Sequence, residues 1–293
     1  MGMGNFVAGT DGDDIVLAGG ISWKNDTKLW LDQTWRFDAK KATWTEGAKL
    51  PHPMAYAAFA QLKDQIYFSG GSDGKVTTND FCQLSTKLDL KKIAKIEKPL
   101  VYSATAIAGS KQFIIAGGGD AVDLKTLTNI VYSIDLASGK TEALPDFPGG
   151  NLIVPTAAAI GGQLYVFTGG YIDTNAQAVN VNSAFAYNIN NRTWKKINPY
   201  PLAVRGLASC ALDDRYILLG GGYTNGFSDV SYLYDTKTDA YLKNRPLPYP
   251  AMATFLKTGD NLYWLGGEDK MRHRSELVYV TKWRELLKAI ISE

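Results

Sequence analysis

The stretch Tyr263-Trp264-Leu265-Gly266-Gly267 is a short run of β-forming residues that stops on a glycine doublet. The same pattern occurs at Val16-Leu17-Ala18-Gly19-Gly20, Tyr67-Phe68-Ser69-Gly70-Gly71, Ile114-Ile115-Ala116-Gly117-Gly118, Val166-Phe167-Thr168-Gly169-Gly170 and Ile217-Leu218-Leu219-Gly220-Gly221. The first glycines stand at 19, 70, 117, 169, 220 and 266, so the steps are 51, 47, 52, 51 and 46 residues. A recurring period of this size marks a repeat architecture. Each unit buries its apolar face only against its neighbours. Glycine at a strand end marks a spot where a side chain would not fit.

A second landmark supports the period. An aromatic followed by Asp or Asn precedes another aromatic by seven residues: Phe37-Asp38 to Trp44, Tyr187-Asn188 to Trp194, and Tyr234-Asp235 to Tyr241. This reads as strand, turn, strand, with the rings packing between adjacent units. The third repeat keeps Ile134-Asp135 without the second aromatic, and the second repeat is the most degenerate. Each repeat is therefore expected to supply four strands, a to d. In the second repeat strand a spans Ala55 to Gln61 and strand b Gln65 to Ser69. Kelch repeats have a period of about 50 residues. The sequence thus predicts an all-β, six-bladed kelch-type β-propeller forming a single domain over 1–293. Its blades lie near 4–48, 52–97, 101–144, 152–197, 203–244 and 250–293. The first strand is expected near Asn5 to Gly9, and the tail Thr281 to Glu293 is read as a short helix in preference to a final strand.

Composition excludes several classes. The 31 basic and 29 acidic residues leave a net charge of +2, with no basic tract to suggest a nucleic-acid partner. No window approaches the roughly 20 apolar residues of a membrane span. Met1-Gly2-Met3-Gly4 lacks the basic and apolar regions of a signal peptide. A cytoplasmic protein is expected, or a periplasmic one if an export signal has been removed. Cys82 and Cys210 lie far apart and read as buried free thiols. Two histidines and two scattered cysteines argue against a zinc or copper site. There is no nucleophile elbow and no phosphate-binding glycine loop. No metal and no cofactor is expected, and the oligomeric state is not legible.

Propeller geometry narrows the search for a site. Strands a and b run antiparallel, so the loops d–a and b–c of every blade converge on one face. The b–c loop of the last blade is by far the most charged: Glu268-Asp269-Lys270-Met271-Arg272-His273-Arg274-Ser275. The first blade adds Ser22-Trp23-Lys24-Asn25-Asp26, and the d–a loops add His52, Tyr56, Tyr102, Asn151 and Arg205. Glu268 follows the Gly-Gly directly. It is a surface carboxylate paired with Lys270 or Arg272, or a general acid/base in the mouth of the ring. Arg274 is a salt-bridge partner, or a planar fork for a ligand carboxylate.

Gly267-Glu268-Asp269-Lys270-Met271-Arg272-His273-Arg274-Ser275 resembles the signature Gly-Glu-x-Lys-x-x-x-Arg-Thr of the kelch-type N-acetylneuraminate epimerases, or sialic acid mutarotases. Ser275 replaces the threonine. In the usual members the signature lies mid-chain, whereas here it lies in the last blade, so the chain resembles the cyclically permuted members of that group. A closed ring accommodates such a rotation. Two departures stand out: Asn151-Leu152-Ile153 follows the Phe147-Pro148-Gly149-Gly150 turn where the family has an arginine, and Met54 replaces another.

The resemblance implies a mutarotase that interconverts the α and β anomers of N-acetylneuraminate or a related acidic sugar by acid/base ring opening. Glu268 would take the anomeric proton and Arg274 would hold the sugar carboxylate. Lys24, Lys270, Arg205, Tyr56 and Asn151 would surround the substrate. Two other readings remain open: a non-catalytic scaffold that binds a protein or peptide, and a lectin-like binder of an acidic sugar.

Overall fold

The structure is a computed structural model and describes residues 2–291. Six blades are arranged as a β-propeller. The first five are four-stranded antiparallel sheets, and the sixth has three strands. Blade one comprises Val7–Asp11, Asp14–Ala18, Thr34–Asp38 and Thr43–Glu46. Blade two comprises Ala58–Leu62, Gln65–Ser69, Asp80–Ser85 and Leu90–Lys95. Blade six comprises Met252–Thr258, Asn261–Glu268 and Val278–Lys282.

Six apolar clusters hold the ring together, one at each junction between neighbouring blades. The spaced aromatics sit in these junctions as expected. Phe37 and Trp44, Tyr187 and Trp194, and Tyr234 and Tyr241 are direct cross-strand partners. Their ring centroids are 5.0, 4.8 and 5.0 Å apart. Such pairs add about 0.5–1.5 kcal/mol beyond the area they bury. Tyr187 and Tyr234 are fully buried, Tyr234 against Tyr165 and Phe167 of the adjoining sheet and Tyr187 within the cluster between blades three and four.

The glycine doublets hold neighbouring blades together by their backbone. Gly20, Gly71, Gly169 and Gly222 donate their N–H groups to the carbonyls of Met54, Leu100, Val204 and Ala251 in the following blade. Gly267 makes the equivalent bond to Met3, at 2.8 Å, which joins blade six to blade one. A Cβ added at Gly19 would lie 2.2 Å from the Met54 carbonyl oxygen, and one at Gly70 would lie 1.9 Å from that of Leu100. Tyr263 supplements the closure by donating its hydroxyl to the Asp13 carbonyl at 2.8 Å.

Three expectations need correction. Strand a of blade two starts at Ala58, three residues later than Ala55, because Tyr56 adopts φ +62° and breaks the extended run. Strand a of blade one likewise starts at Val7, since Asn5 has φ +57°. Blade six has no fourth strand among the described residues. Trp283–Ile291 forms a helix, as expected, although Thr281 and Lys282 still belong to a strand. Trp283, Leu286, Leu287 and Ile290 recur at i, i+3, i+4 and i+7, which is helical spacing, and this stripe packs between blades five and six. Residues 292 and 293 of the predicted helix lie outside the described residues.

A narrower ring lies just ahead of the innermost strands. Asn5, Tyr56, Tyr102, Val154 and Gly206 occupy equivalent positions in blades one to five, all with φ between +47° and +66°. Tyr56 N–H donates to the Asn5 carbonyl, Tyr102 to Tyr56, Val154 to Tyr102 and Gly206 to Val154, at 3.0–3.3 Å. Left-handed φ is uncommon for residues other than glycine. Here the chain of bonds from blade to blade fixes it. Below this ring, a channel of about 470 Å³ runs between the innermost strands.

Candidate functional site

The site is assembled where blade six meets blade one. Glu268 ends strand b of blade six. Arg274 returns after a tight turn closed by the His273 N–H to Lys270 carbonyl bond. The Arg274 guanidinium then lies beside Glu268, with Nη1 3.1 Å from Oε1. The arginine side chain is only 3 % exposed and the glutamate 27 %. Nη1 also donates to the His273 carbonyl at 3.0 Å. The buried Nε has no hydrogen-bond partner among the described residues. Glycines make room for this arginine: a Cβ at Gly4 would lie 2.9 Å from its Cδ. Of the two readings of Arg274, the structure shows the salt bridge, made to Glu268 in a low-dielectric wall where a charge-assisted contact is strong.

The facing wall comes from a hairpin within the b–c loop of blade one, Ile21–Lys24 paired with Thr27–Trp30. Asn25 and Asp26 form its turn with φ +49° and +60°, the geometry of a two-residue hairpin that favours Asn and Asp. The hairpin brings Lys28 to the mouth. Its Nζ donates to the Tyr56 hydroxyl at 3.0 Å and lies over the rings of Trp30 and Tyr56 at 4.5 and 5.0 Å. Burial lowers the Lys28 pKa from the usual lysine value, the positive charge of Arg274 lowers it further, and Glu268 opposes both. No carboxylate lies within ion-pair distance of Lys28 among the described residues.

Tyr56 completes this wall. Its ring meets Trp30 at 5.7 Å and Tyr102 at 4.3 Å between centroids. Burial pushes the Tyr56 phenol up to about 12, with Arg274 pulling the other way. Tyr102 spends its hydroxyl on the Ala121 carbonyl at 2.7 Å. The carboxylate of Glu268, the cations of Arg274 and Lys28 and the hydroxyl of Tyr56 therefore share one mouth.

The remaining predicted site residues stand apart. Lys24 is exposed at the hairpin tip. Trp23 is the residue opposite Lys28, so Lys24, one step along the strand, points to the other face. Lys270 is exposed on its turn, and Asn151 is exposed beyond the Gly-Gly turn. Arg205 stacks on Tyr223 at 4.4 Å and donates to Asn180 at 2.8 Å, across blades four and five. His273 pairs with Asp269 at 2.5 Å and is exposed. Among the described residues no three His, Cys, Asp or Glu side chains converge as metal ligands, and no helix is long and apolar enough to cross a membrane. Lys28 and Trp30 were missed because the loop of blade one was read only as far as Asp26. The Asn25-Asp26 turn between two alternating runs was the signal for the returning strand.

Comparison with known proteins agrees with the resemblance read from the signature. Residues 116–246 match the family model for N-acetylneuraminate epimerase. The curated N-acetylneuraminate epimerase of Pasteurella multocida (strain Pm70) is 36% identical over 135 residues, 43% of this chain and 33% of that protein. That of Haemophilus influenzae (strain PittEE) is 33% identical over 131 residues, 40% of this chain and 35% of that protein. The matches thus span about a third of the length of these curated relatives. The kelch-like protein terF of Aspergillus terreus is 23% identical over 265 residues, 82% of this chain and 55% of that protein. The chain is therefore similar to the sialic acid epimerases in its middle blades and to a kelch-like protein over most of its length.

Proposed function

We propose that this protein interconverts the anomers of N-acetylneuraminate or a closely related acidic sugar by acid/base ring opening. The observation that carries this reading is the Glu268 carboxylate, fixed by the buried Arg274 at 3.1 Å, beside Lys28, which has no carboxylate within ion-pair distance among the described residues. Two cations face one carboxylate, so the mouth has a positive charge to spare. A small sugar acid would supply the missing anion, and its carboxylate would be drawn toward the edge of Arg274.

In this reading Glu268 takes the proton of the anomeric hydroxyl as the ring opens to the ketone. Rotation about the bond beside the carbonyl presents its other face, and the ring recloses as the opposite anomer. The reaction already runs slowly in water, so acid–base help of roughly 10²–10⁴-fold is enough. The chain order reads as a rotated version of the ordinary one.

The test is one-dimensional proton NMR on freshly released α-anomer. Added protein is expected to hasten the approach to equilibrium, and Glu268→Ala to abolish the effect while circular dichroism stays unchanged. An unaltered rate with wild-type protein would overturn the assignment. Sugar binding without exchange would point to a binding propeller instead.

A further inference from the structure

Opening a sugar ring needs two proton transfers. A base removes the anomeric proton, and an acid must protonate the ring oxygen as its bond to the anomeric carbon breaks. Glu268 can serve only one of these at a time. Resting on the mutarotase reading, we propose that Tyr56 is the catalytic acid for the ring oxygen and that Lys28 acts through it as a positioning residue.

The geometry favours Tyr56 over its neighbours. Tyr102 has its hydroxyl proton bound to the Ala121 carbonyl. The Tyr56 oxygen instead accepts a hydrogen bond from Lys28 Nζ at 3.0 Å, and its hydroxyl also meets that of Tyr102, whose own proton is spent, so the Tyr56 proton rests on the Tyr102 oxygen until a sugar ring oxygen takes that acceptor's place. The ring cannot drift, because the backbone of Tyr56 is tied to Asn5 on one side and Tyr102 on the other. Trp30 and Tyr102 hold its faces. Trp30 is itself seated against Gly74, where a Cβ would come within 2.5 Å of the indole. Burial keeps the phenol protonated at neutral pH, so the proton is present when needed. An ammonium bonded to the phenol oxygen stabilises the phenolate that forms when the proton leaves.

The step balances. The anomeric O–H bond breaks and its proton passes to Glu268. The carbonyl forms from that electron pair. The bond between the anomeric carbon and the ring oxygen breaks, and its pair is captured by the Tyr56 proton. This leaves the open-chain keto acid, a phenolate and a protonated Glu268. Reclosure runs the same transfers backwards on the opposite face of the carbonyl, restoring both groups.

Three variants test this with the full chain and N-acetylneuraminate. Tyr56→Phe is expected to lower the anomer-exchange rate at saturating sugar by roughly 10²–10⁴-fold, while calorimetric affinity changes only a few-fold. Lys28→Met is expected to slow the wild type strongly yet to slow Tyr56→Phe no further, because Lys28 acts on the rate through that hydroxyl. Lys28→Arg is expected to retain exchange and to move the alkaline limb of the pH profile upward, since an arginine stays protonated. A purely structural role would leave that limb in place. Full activity in Tyr56→Phe, or additive losses in the double variant, would overturn the inference while leaving the mutarotase assignment standing. If Tyr56→Phe does not fold, an unmoved alkaline limb in Lys28→Arg overturns it. No exchange by wild-type protein would overturn both.

Discussion

The two halves of the inner ring share a backbone and differ in chemistry. On one side the equivalent positions are Asn5, Tyr56 and Tyr102. On the other they are Val154 and Gly206, with the same left-handed φ and the same bond to the preceding blade. The tyrosine half faces Glu268, Arg274 and Lys28. The Val154 side is flanked by an exposed Asn151 and by an Arg205 already engaged with Asn180 and Tyr223. A symmetric scaffold thus carries a one-sided candidate site, because the repeat constrains the backbone and leaves loop side chains free to differ.

The sharpest way to break this comparison is Glu268→Gln. Exchange should fall by roughly 10²–10⁴-fold, read by NMR, with near-normal folding because the amide oxygen can still accept from Arg274. A comparable energetic effect, but on stability alone, is expected at the junction of blades four and five. Tyr234→Ala removes a fully buried ring and should cost about 3–5 kcal/mol in denaturant unfolding. Gly74→Ala comes next. Its glycine has φ +93° and touches Trp30, so the variant should slow exchange without any direct contact to Glu268.

Lys28 gives a prediction with opposite signs for stability and activity. Its pKa is lowered by burial first and by Arg274 second, with Glu268 opposing, while Tyr56 accepts its proton bond. A depressed lysine costs the folded state stability wherever it is protonated. That cost is relieved as pH rises through the lowered pKa toward the ordinary value. Exchange that needs the ammonium should decline over the same interval, below the pH at which a free lysine titrates. Lys28→Met should therefore melt no lower than wild type near neutral pH, and possess less activity. The smallest effects belong to the other half: Asn151→Ala and Lys24→Ala should stay within about 0.5 kcal/mol in stability and leave exchange within a few-fold.

The fold was legible because its signals are steric and periodic. Gly70 must lack a side chain to pass the Leu100 carbonyl, and Tyr187 must meet Trp194 across a tight turn, so both leave fixed marks at fixed intervals. Glu268 was placed at the mouth by the same signal, since it follows the Gly266-Gly267 doublet directly. The remainder depended on which face of a strand a side chain takes. Lys24 and Lys28 are equally charged and four residues apart, and only the hairpin turn at Asn25-Asp26 decides that the second reaches the mouth. Arg274 was left open between a salt-bridge partner and a ligand fork because spacing cannot reveal burial. Its enclosure by Gly2 and Gly4 comes from a segment some 270 residues away in sequence.

The Gly267 to Met3 bond places the carboxylate at the seam of the circle. Here the backbone around Gly2 and Gly4 walls in Arg274, so loosening of that segment would release the arginine and unseat Glu268 while the five other junctions remained intact. Catalytic output should therefore vanish earlier than the β-sheet signal during gentle heating, making turnover a sensitive gauge of whether the circle is shut.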